Sequence, residues 1–393
     1  MTLLIVGIAV PVVGFVAWWL LRSATPSRPA PTVSDPSPAA SRTQDPRTSA
    51  PATATRAARD LPAALQDLQL THADQANAGR RTALTTVFRE VPRPPKLLHH
   101  LVSPDFFGAA SSAQLVDLIS AEPLIAAKVL AAVNSPMYGL SREVISVSQA
   151  VNFLGLNAVR ALCLQYLMQN AFRTDHPERQ RQLEQTWTAS ALASELVQRL
   201  SGALALEDRG PLVSAVVLSF LGRLATLAVV PKGVLPRIPA RTLVERARAE
   251  EQLLGLSASE IGRLLMTEWA LPASVVADAA DLNRLLVTPV ADATDDRLVR
   301  LAVGYLGARL GERLAVGELA DLATFDLDNG HDAEIFHAVN HLPTALKARL
   351  TDALLSVDLR TAVHRLLLAL QPTAGTVPTA SASTAPPASL SPR

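Results

Sequence analysis

Read for the spacing of apolar and polar positions, the chain is helical between two polar, apolar-poor ends. Residues 114–133 (QLVDLISAEPLIAAKVLAAV) carry apolar side chains at 115, 118, 119, 124, 125, 129 and 130. That is helical spacing, and Pro123 is expected to split the stretch into two helices because proline lacks the amide its helix would need. Ser146-Val-Ser-Gln149 has the form of a capping box, and Gly155 is expected to close the helix it opens. Further helices are predicted over 157–172, 182–200, 211–229, 257–270, 272–286, 295–314, 332–339 and 343–370, the last one broken. No period-two alternation is long enough for a strand. The fold class is therefore all-α.

Two segments depart from that pattern. Residues 2–21 (TLLIVGIAVPVVGFVAWWLL) hold no charged side chain, and twenty residues at helical rise span about 30 Å, the thickness of a bilayer core. Trp18 and Trp19 stand where interfacial aromatics anchor a span, and Arg22 follows at once. A cleaved signal peptide is the competing reading, but nothing basic precedes the apolar run beyond the amino terminus, and candidate cleavage points after Ala24 or Ala30 carry Arg at the minus-three position. Six arginines from Arg22 to Arg59 and none before the run place the C-terminal part on the cytoplasmic side, so the expected location is the inner membrane, single-pass. Residues 23–60 and 372–393, rich in Pro, Ala, Ser and Thr, have too little apolar surface to offset chain entropy and read as disordered linker and tail.

Composition agrees and removes some function classes. Hydrophobic residues make up 49% and aromatics 4%, a mix that favours helices over sheets. Thirty-six basic residues against 35 acidic ones give +1, which supplies no long-range field for nucleic acid. The lone cysteine, Cys163, lies in an apolar run and reads as a small buried hydrophobe rather than a nucleophile.

One ordered set of residues is specific. Glu122-Pro123-Leu124, Lys128 with Leu130, Asn134-Ser135-Pro-Met-Tyr138-Gly139, Ser146 with Ala150, and Leu154-Gly155 follow one another over about 40 residues, with Arg93-Pro94-Pro95 upstream. This resembles the N-terminal lobe of the HDOD family of bacterial signalling domains. The following half resembles the family's C-terminal lobe, which is related to HD-type metal phosphohydrolases. Trp187-Thr-Ala-Ser190, Leu218-Ser219-Phe220-Leu221-Gly222-Arg223, Gly255 to Gly262 and Trp269-Ala-Leu271-Pro272 keep the register. Where the hydrolases place ligands, positions 189, 219, 220 and 258 are Ala, Ser, Phe and Ala, and Asp281-Leu282-Asn283 has no histidine beside it. The resemblance implies a two-lobed helical domain over 61–290, with its core at about 90–290. Residues 291–371 would then be a C-terminal helical extension.

From these residues the expectation is no enzyme, no cofactor, no metal site, and a non-enzymatic signalling module held at the membrane by residues 1–22 that acts on unknown protein partners. An HD-type phosphohydrolase and a second-messenger (cyclic-dinucleotide) binder are the alternatives. Asn134, Ser135, Tyr138 and Gly139 are expected to build a rigid corner, Asn134 as a left-handed helix end and Tyr138 with its hydroxyl on a backbone partner, or to contact a partner directly. His331, His337 and His341 are expected to flank a solvated helix start capped by Asp332 rather than to bind metal. Gly307 and Gly311 are read as helix-packing contacts.

Overall fold

The computed structural model describes residues 61–370 apart from 90, 110, 173, 175, 231–241 and 291–294. The anticipated membrane segment, linker and tail all lie outside the described residues. No strand occurs among the described residues, so the all-α expectation holds.

A first series of helices runs α1 (Ala78–Phe88), α2 (Lys96–Val102), α3 (Pro104–Ala109), α4 (Ser112–Ser120), α5 (Pro123–Val133), α6 (Val147–Leu154) and α7 (Leu156–Ala171). Pro123 does divide α4 from α5, sitting at the first position of α5 where its missing amide costs nothing. The second series is α8 (Pro177–Ala203), α9 (Arg209–Ser219), α10 (Leu221–Val229), α11 (Leu243–Leu254), α12 (Ala258–Glu268), α13 (Ala273–Arg284) and α14 (Asp296–Ala315), followed by α15 (Phe336–His341), α16 (Thr344–Leu355) and α17 (Val357–Leu370). Helices α4 to α7 pack on one another, α8 to α10 and α12 to α14 do likewise, and α7 touches both sets.

The stretch expected as one helix over 211–229 is interrupted at Phe220, which separates α9 from α10. Arg209–Ala228 is long and apolar enough to cross a membrane, but 78% of that window is buried inside the protein. Its apolarity belongs to the core.

Glycine sets two of the closest helix contacts. Along α14, a Cβ at Gly307 would lie 2.3 Å from Val197 Cγ2, and one at Gly311 would lie 2.6 Å from the Ala189 carbonyl oxygen. Both glycines are packing contacts, as anticipated, and they let α14 lie along α8 so closely that the two helices form the centre of the second set. Between α10 and α12 the approach is tighter still, since a Cβ at Gly222 would fall 1.6 Å from Ala258 O.

The segment before α1 crosses this second set as a strap. Ala73 N donates to Glu260 Oε2 at 2.9 Å, Thr71 N donates to Glu251 Oε1 at 3.0 Å, and Arg284 Nη2 donates to Leu70 O at 3.1 Å. Glu260 is fully buried and also meets Arg263 and Arg284, each at 3.2 Å. A buried carboxylate needs such partners, because desolvating it alone would be prohibitive.

Candidate functional site

The Gly222–Gly262 contact decides what surrounds positions 219, 220 and 258, singled out above by the resemblance. It draws α10 onto α12, so that Ser219, Phe220, Ala258 and Asn283 line one cavity of about 50 Å³, room for a few waters. Ala189 is not among them; it faces Gly311 on α14. Phe220 is 3% exposed and fills space where a ligand would need an oxygen or nitrogen. The Ser219 hydroxyl is spent on Val216 O at 2.7 Å, and Asn283 Nδ2 donates to Ser219 O at 2.8 Å.

Guanidinium groups line the rest. Arg223 on α10, Arg246 on α11 and Arg309 on α14 face the cavity together with Glu250 and Glu312. Arg246 Nη2 donates to both Glu312 oxygens at 3.3 and 3.4 Å, Arg309 also pairs with Glu312, and Glu250 Oε2 accepts from Ala258 N at 2.8 Å. Arg223 meets Glu250 only at 3.9 Å, and its buried Nη1 has no hydrogen-bond partner. Burial pushes the Arg223 pKa down to about 10; Arg246 adds to the shift and Glu250 opposes it. Three guanidiniums against two carboxylates make a poor place for a divalent cation, which needs several converging anionic or neutral lone-pair donors. Among the described residues no group of three or more His, Cys, Asp or Glu side chains is placed to hold a metal ion.

The C-terminal histidines do not converge either. His331 is exposed, while His341 is buried with Nε2 3.1 Å from Thr288 O. His337 stacks edge-on against Phe336, and burial followed by His341 lowers its pKa. The expected solvated helix start is corrected: the helix begins at Phe336, not Asp332. The Asp332 carboxylate is held by Arg313, at 2.6 Å to Nη1 and 2.9 Å to Nη2. That bidentate pair is stronger than a lone cap and takes the carboxylate out of water.

At the corner between α5 and α6, Asn134 is not left-handed: its φ is −84° and ψ 2°. Gly139 takes that role with φ 57°, ψ 37°. The Asn134 side chain instead reaches ten residues on, giving Nδ2 to Val144 O and taking Val144 N on Oδ1, both at 2.8 Å. Ser135 N-caps the 3₁₀ turn Pro136–Tyr138 through its backbone alone, with no side-chain cap bond. The Tyr138 ring meets Phe153 edge-on at 6.0 Å, and α17 packs against this turn. The expected backbone partner for the Tyr138 hydroxyl is also corrected: no hydrogen bond from it reaches a described residue. Burial first, then Glu195, pushes its pKa up to about 12. The capping box at Ser146 closes on one side only, since Ser146 Oγ accepts from Gln149 N, whereas Gln149 Oε1 accepts from Ile145 N, one residue earlier than the box requires. Cys163 is buried and its thiol is raised to about 12 by desolvation, which leaves it inert as a nucleophile.

Sequence reading did not anticipate α11, which carries Arg246 and Glu250. Its signal is present: Thr242 Oγ1 accepts from Glu245 N at 3.1 Å, and Gly255 ends the helix at φ 77°. Amphipathic spacing is weak there because the buried face includes the charged Glu250.

Against known proteins, the HDOD domain model matches residues 91–284. No curated protein matches the chain. Among solved structures, an HDOD domain protein of unknown function from Geobacter sulfurreducens aligns at TM-score 0.50 and 18% identity, over 72% of this chain and 98% of its own. A candidate phosphohydrolase from Shewanella amazonensis SB2B aligns at TM-score 0.50 and 17% identity, over 73% and 97%. At such identities the structures show the fold, and the family model identifies residues 91–284 as an HDOD domain.

Proposed function

We propose that this chain is a non-enzymatic HDOD regulatory module of two helical lobes, anchored to the inner membrane by residues 2–21 and acting through protein–protein contacts from the cytoplasmic side. The observation that carries the non-enzymatic reading is the composition of the former metal centre. Ser219, Phe220, Ala258 and Asn283 share one cavity with Arg223, Arg246 and Arg309, and its two carboxylates are already engaged, Glu250 by the Ala258 amide and Glu312 by Arg246 and Arg309. Hydrolysis at such a position needs a metal-bound water, for which this lining has two carboxylates committed to other partners and an excess of guanidinium charge. Support for a contact role comes from the first helical set, where Leu124, Ile145 and Phe153 are each more than half exposed. Large apolar side chains left in water near a rigid corner are the kind of feature that partner surfaces use.

The test uses the full chain in mild detergent. Elemental analysis and a phosphodiester hydrolysis assay should find neither stoichiometric transition metal nor turnover; about one tightly held metal ion per chain would overturn the non-enzymatic reading. In cells, Ile145→Asp and Phe153→Ser should abolish crosslinking to the partner while the protein melts normally. A reporter joined after residue 60 should be cytoplasmic, and deleting residues 1–22 should release the chain from the membrane.

A further inference from the structure

A second cavity, of about 660 Å³, lies between the ends of α3 and α7 on one side and the start of α9 with α13 on the other. That volume falls in the range of small-molecule sites. Its walls combine apolar side chains (Phe107, Leu156, Leu206, Val275) with an excess of positive charge.

Arg160 stands out in it. The residue is 2% exposed, yet no carboxylate among the described residues pairs with it. Its Nε is buried without a hydrogen bond, and among the described residues its guanidinium hydrogen-bonds through Nη1 to Asn157 Oδ1 alone, at a long 3.5 Å. Phe106 and Phe107 hold the guanidinium in place, their ring centroids 4.9 and 4.4 Å away. Aromatic faces stabilise a cation while leaving its donor edge unused. An isolated buried charge is costly, and desolvation lowers the Arg160 pKa to about 10.

The start of α9 meets Arg160 there. Asp208 precedes the helix in a left-handed conformation and makes no side-chain cap; Pro211 has no amide and Leu212 N donates to Asp208 O at 3.1 Å, so the amides of Arg209 and Gly210 keep their donor capacity at the positive end of the helix dipole. Gly210 brings that backbone close: a Cβ there would lie 2.9 Å from Arg160 Nη1 and 2.7 Å from Asn157 Oδ1. Arg209 adds a second cation whose Nε donates only to Leu206 O at 3.1 Å. The acidic groups on the wall are already paired, Asp208 with Arg300 at 2.8 Å and Asp278 with Arg297 at 2.7 Å. Arg160 and Arg209 therefore remain uncompensated beside a helix N-terminus, an arrangement that suits a dianionic oxyanion.

We propose that this cavity binds a phosphate ester of nucleotide size, its phosphate held by the Arg160 and Arg209 side chains and the amides of Arg209 and Gly210, its remainder against the apolar wall. The site lies away from the former metal centre and goes beyond the contact role proposed above.

Equilibrium dialysis of the full chain in mild detergent, with inorganic phosphate, AMP, GMP and cyclic di-GMP as separate probes, tests this. At least one nucleotide should bind saturably at about one per chain and more tightly than phosphate alone. Arg160→Met, which keeps the packing volume, should abolish that binding. Arg209→Gln, at an exposed position, should weaken it roughly tenfold, the size of one charge-assisted contact, with an unchanged melting temperature. Because Arg160→Met can fail to fold, the Arg209→Gln result decides alone in that case. Saturation by none of the four probes, phosphate binding as tight as any nucleotide, or nucleotide binding indifferent to Arg209→Gln would each overturn the proposal.

Discussion

Asn134 and Val144 exchange two hydrogen bonds of 2.8 Å, the amide side chain of one copying a backbone pairing with the other. This ties the end of α5 to the residue just ahead of α6 and closes the loop that holds Tyr138. Only an amide side chain both donates and accepts in this way. It explains why an asparagine stands at the helix end although its own backbone needs no left-handed residue.

Replacing Asn134 should test the pairing directly. Asn134→Ala leaves the Val144 amide and carbonyl without partners in a half-buried loop, at an expected cost of about 1–3 kcal/mol. Asn134→Asp should rescue little, because a carboxylate accepts from the Val144 amide but faces the Val144 carbonyl with a second acceptor. Urea unfolding gives the stability change, and hydrogen exchange at the Val144 amide should quicken in both variants. Unchanged exchange at that amide would show that the loop closes without Asn134.

Much of the scaffold was legible in the residues, for identifiable reasons. Pro123 divided two helices because its ring has one comfortable place at a helix start, and Gly307 and Gly311 pointed to a close helix pair because few other residues permit one. Positions 220 and 258 drew attention through the resemblance alone, since Phe220 and Ala258 have no ligand atoms. The charged groups that surround them were not legible. Arg223, Arg246 and Arg309 come from helices far apart in the chain, and charged residues in a sequence are ordinarily taken as solvated. Arg160 escaped notice for the same reason: nothing local says that Phe106 and Phe107, some fifty residues earlier, will enclose it. Asp332 looked like a cap because its bidentate partner, Arg313, lies on another helix.

Glu334 offers a pH-dependent readout of the buried charge network. Its carboxylate accepts from Leu243 N and from Arg313 Nη2 at 3.1 Å, with Arg309 Nε 3.8 Å away, while Asp332 and Glu312 share the same two arginines. Burial alone would raise its pKa; Arg309, the Leu243 amide and Arg313 together bring it below the ordinary glutamate value. A lowered folded pKa means that the ionised form stabilises the fold. That contribution is complete above the unfolded value, about 4.3, and disappears as pH falls through the lower folded value. Glu334→Gln should therefore cost on the order of 3 kcal/mol at neutral pH, since it leaves two buried guanidiniums short of a counter-charge. The gap between parent and variant should close in acid. Denaturant titrations from pH 7 down to the acid limit of folding check this; a gap that stays constant across the series would show that the charge of Glu334 contributes nothing.

The Gly222 contact gives the sharpest test of the packing. A methyl group there would overlap the Ala258 backbone oxygen at 1.6 Å, and Gly262 N stands 3.0 Å away on the same side. Backbone cannot rotate aside as a side chain can, so Gly222→Ala must separate α10 from α12. Forced overpacking of this kind costs typically about 1–3 kcal/mol and sometimes more. Gly202 on α8 supplies the control. Its nearest neighbour would be the flexible end of Arg209 at 3.7 Å, and the position is helical. Gly202→Ala should therefore be neutral or stabilise by up to about 1 kcal/mol, through the lower entropy of the unfolded chain. The two variants add the same methyl group to the same chain, so opposite shifts in melting temperature isolate the helix contact from any general effect of losing a glycine. Equal shifts would mean that α10 and α12 are not in contact at Gly222. The cavity lined by Ser219, Phe220 and Ala258 would then lack the closure that the Gly222–Gly262 approach gives it. Because Arg223 follows Gly222 directly, separation of α10 from α12 should also admit solvent to its buried guanidinium. Glu250→Gln would then cost less in the Gly222→Ala background than in the parent, a coupling that a double-mutant cycle measures.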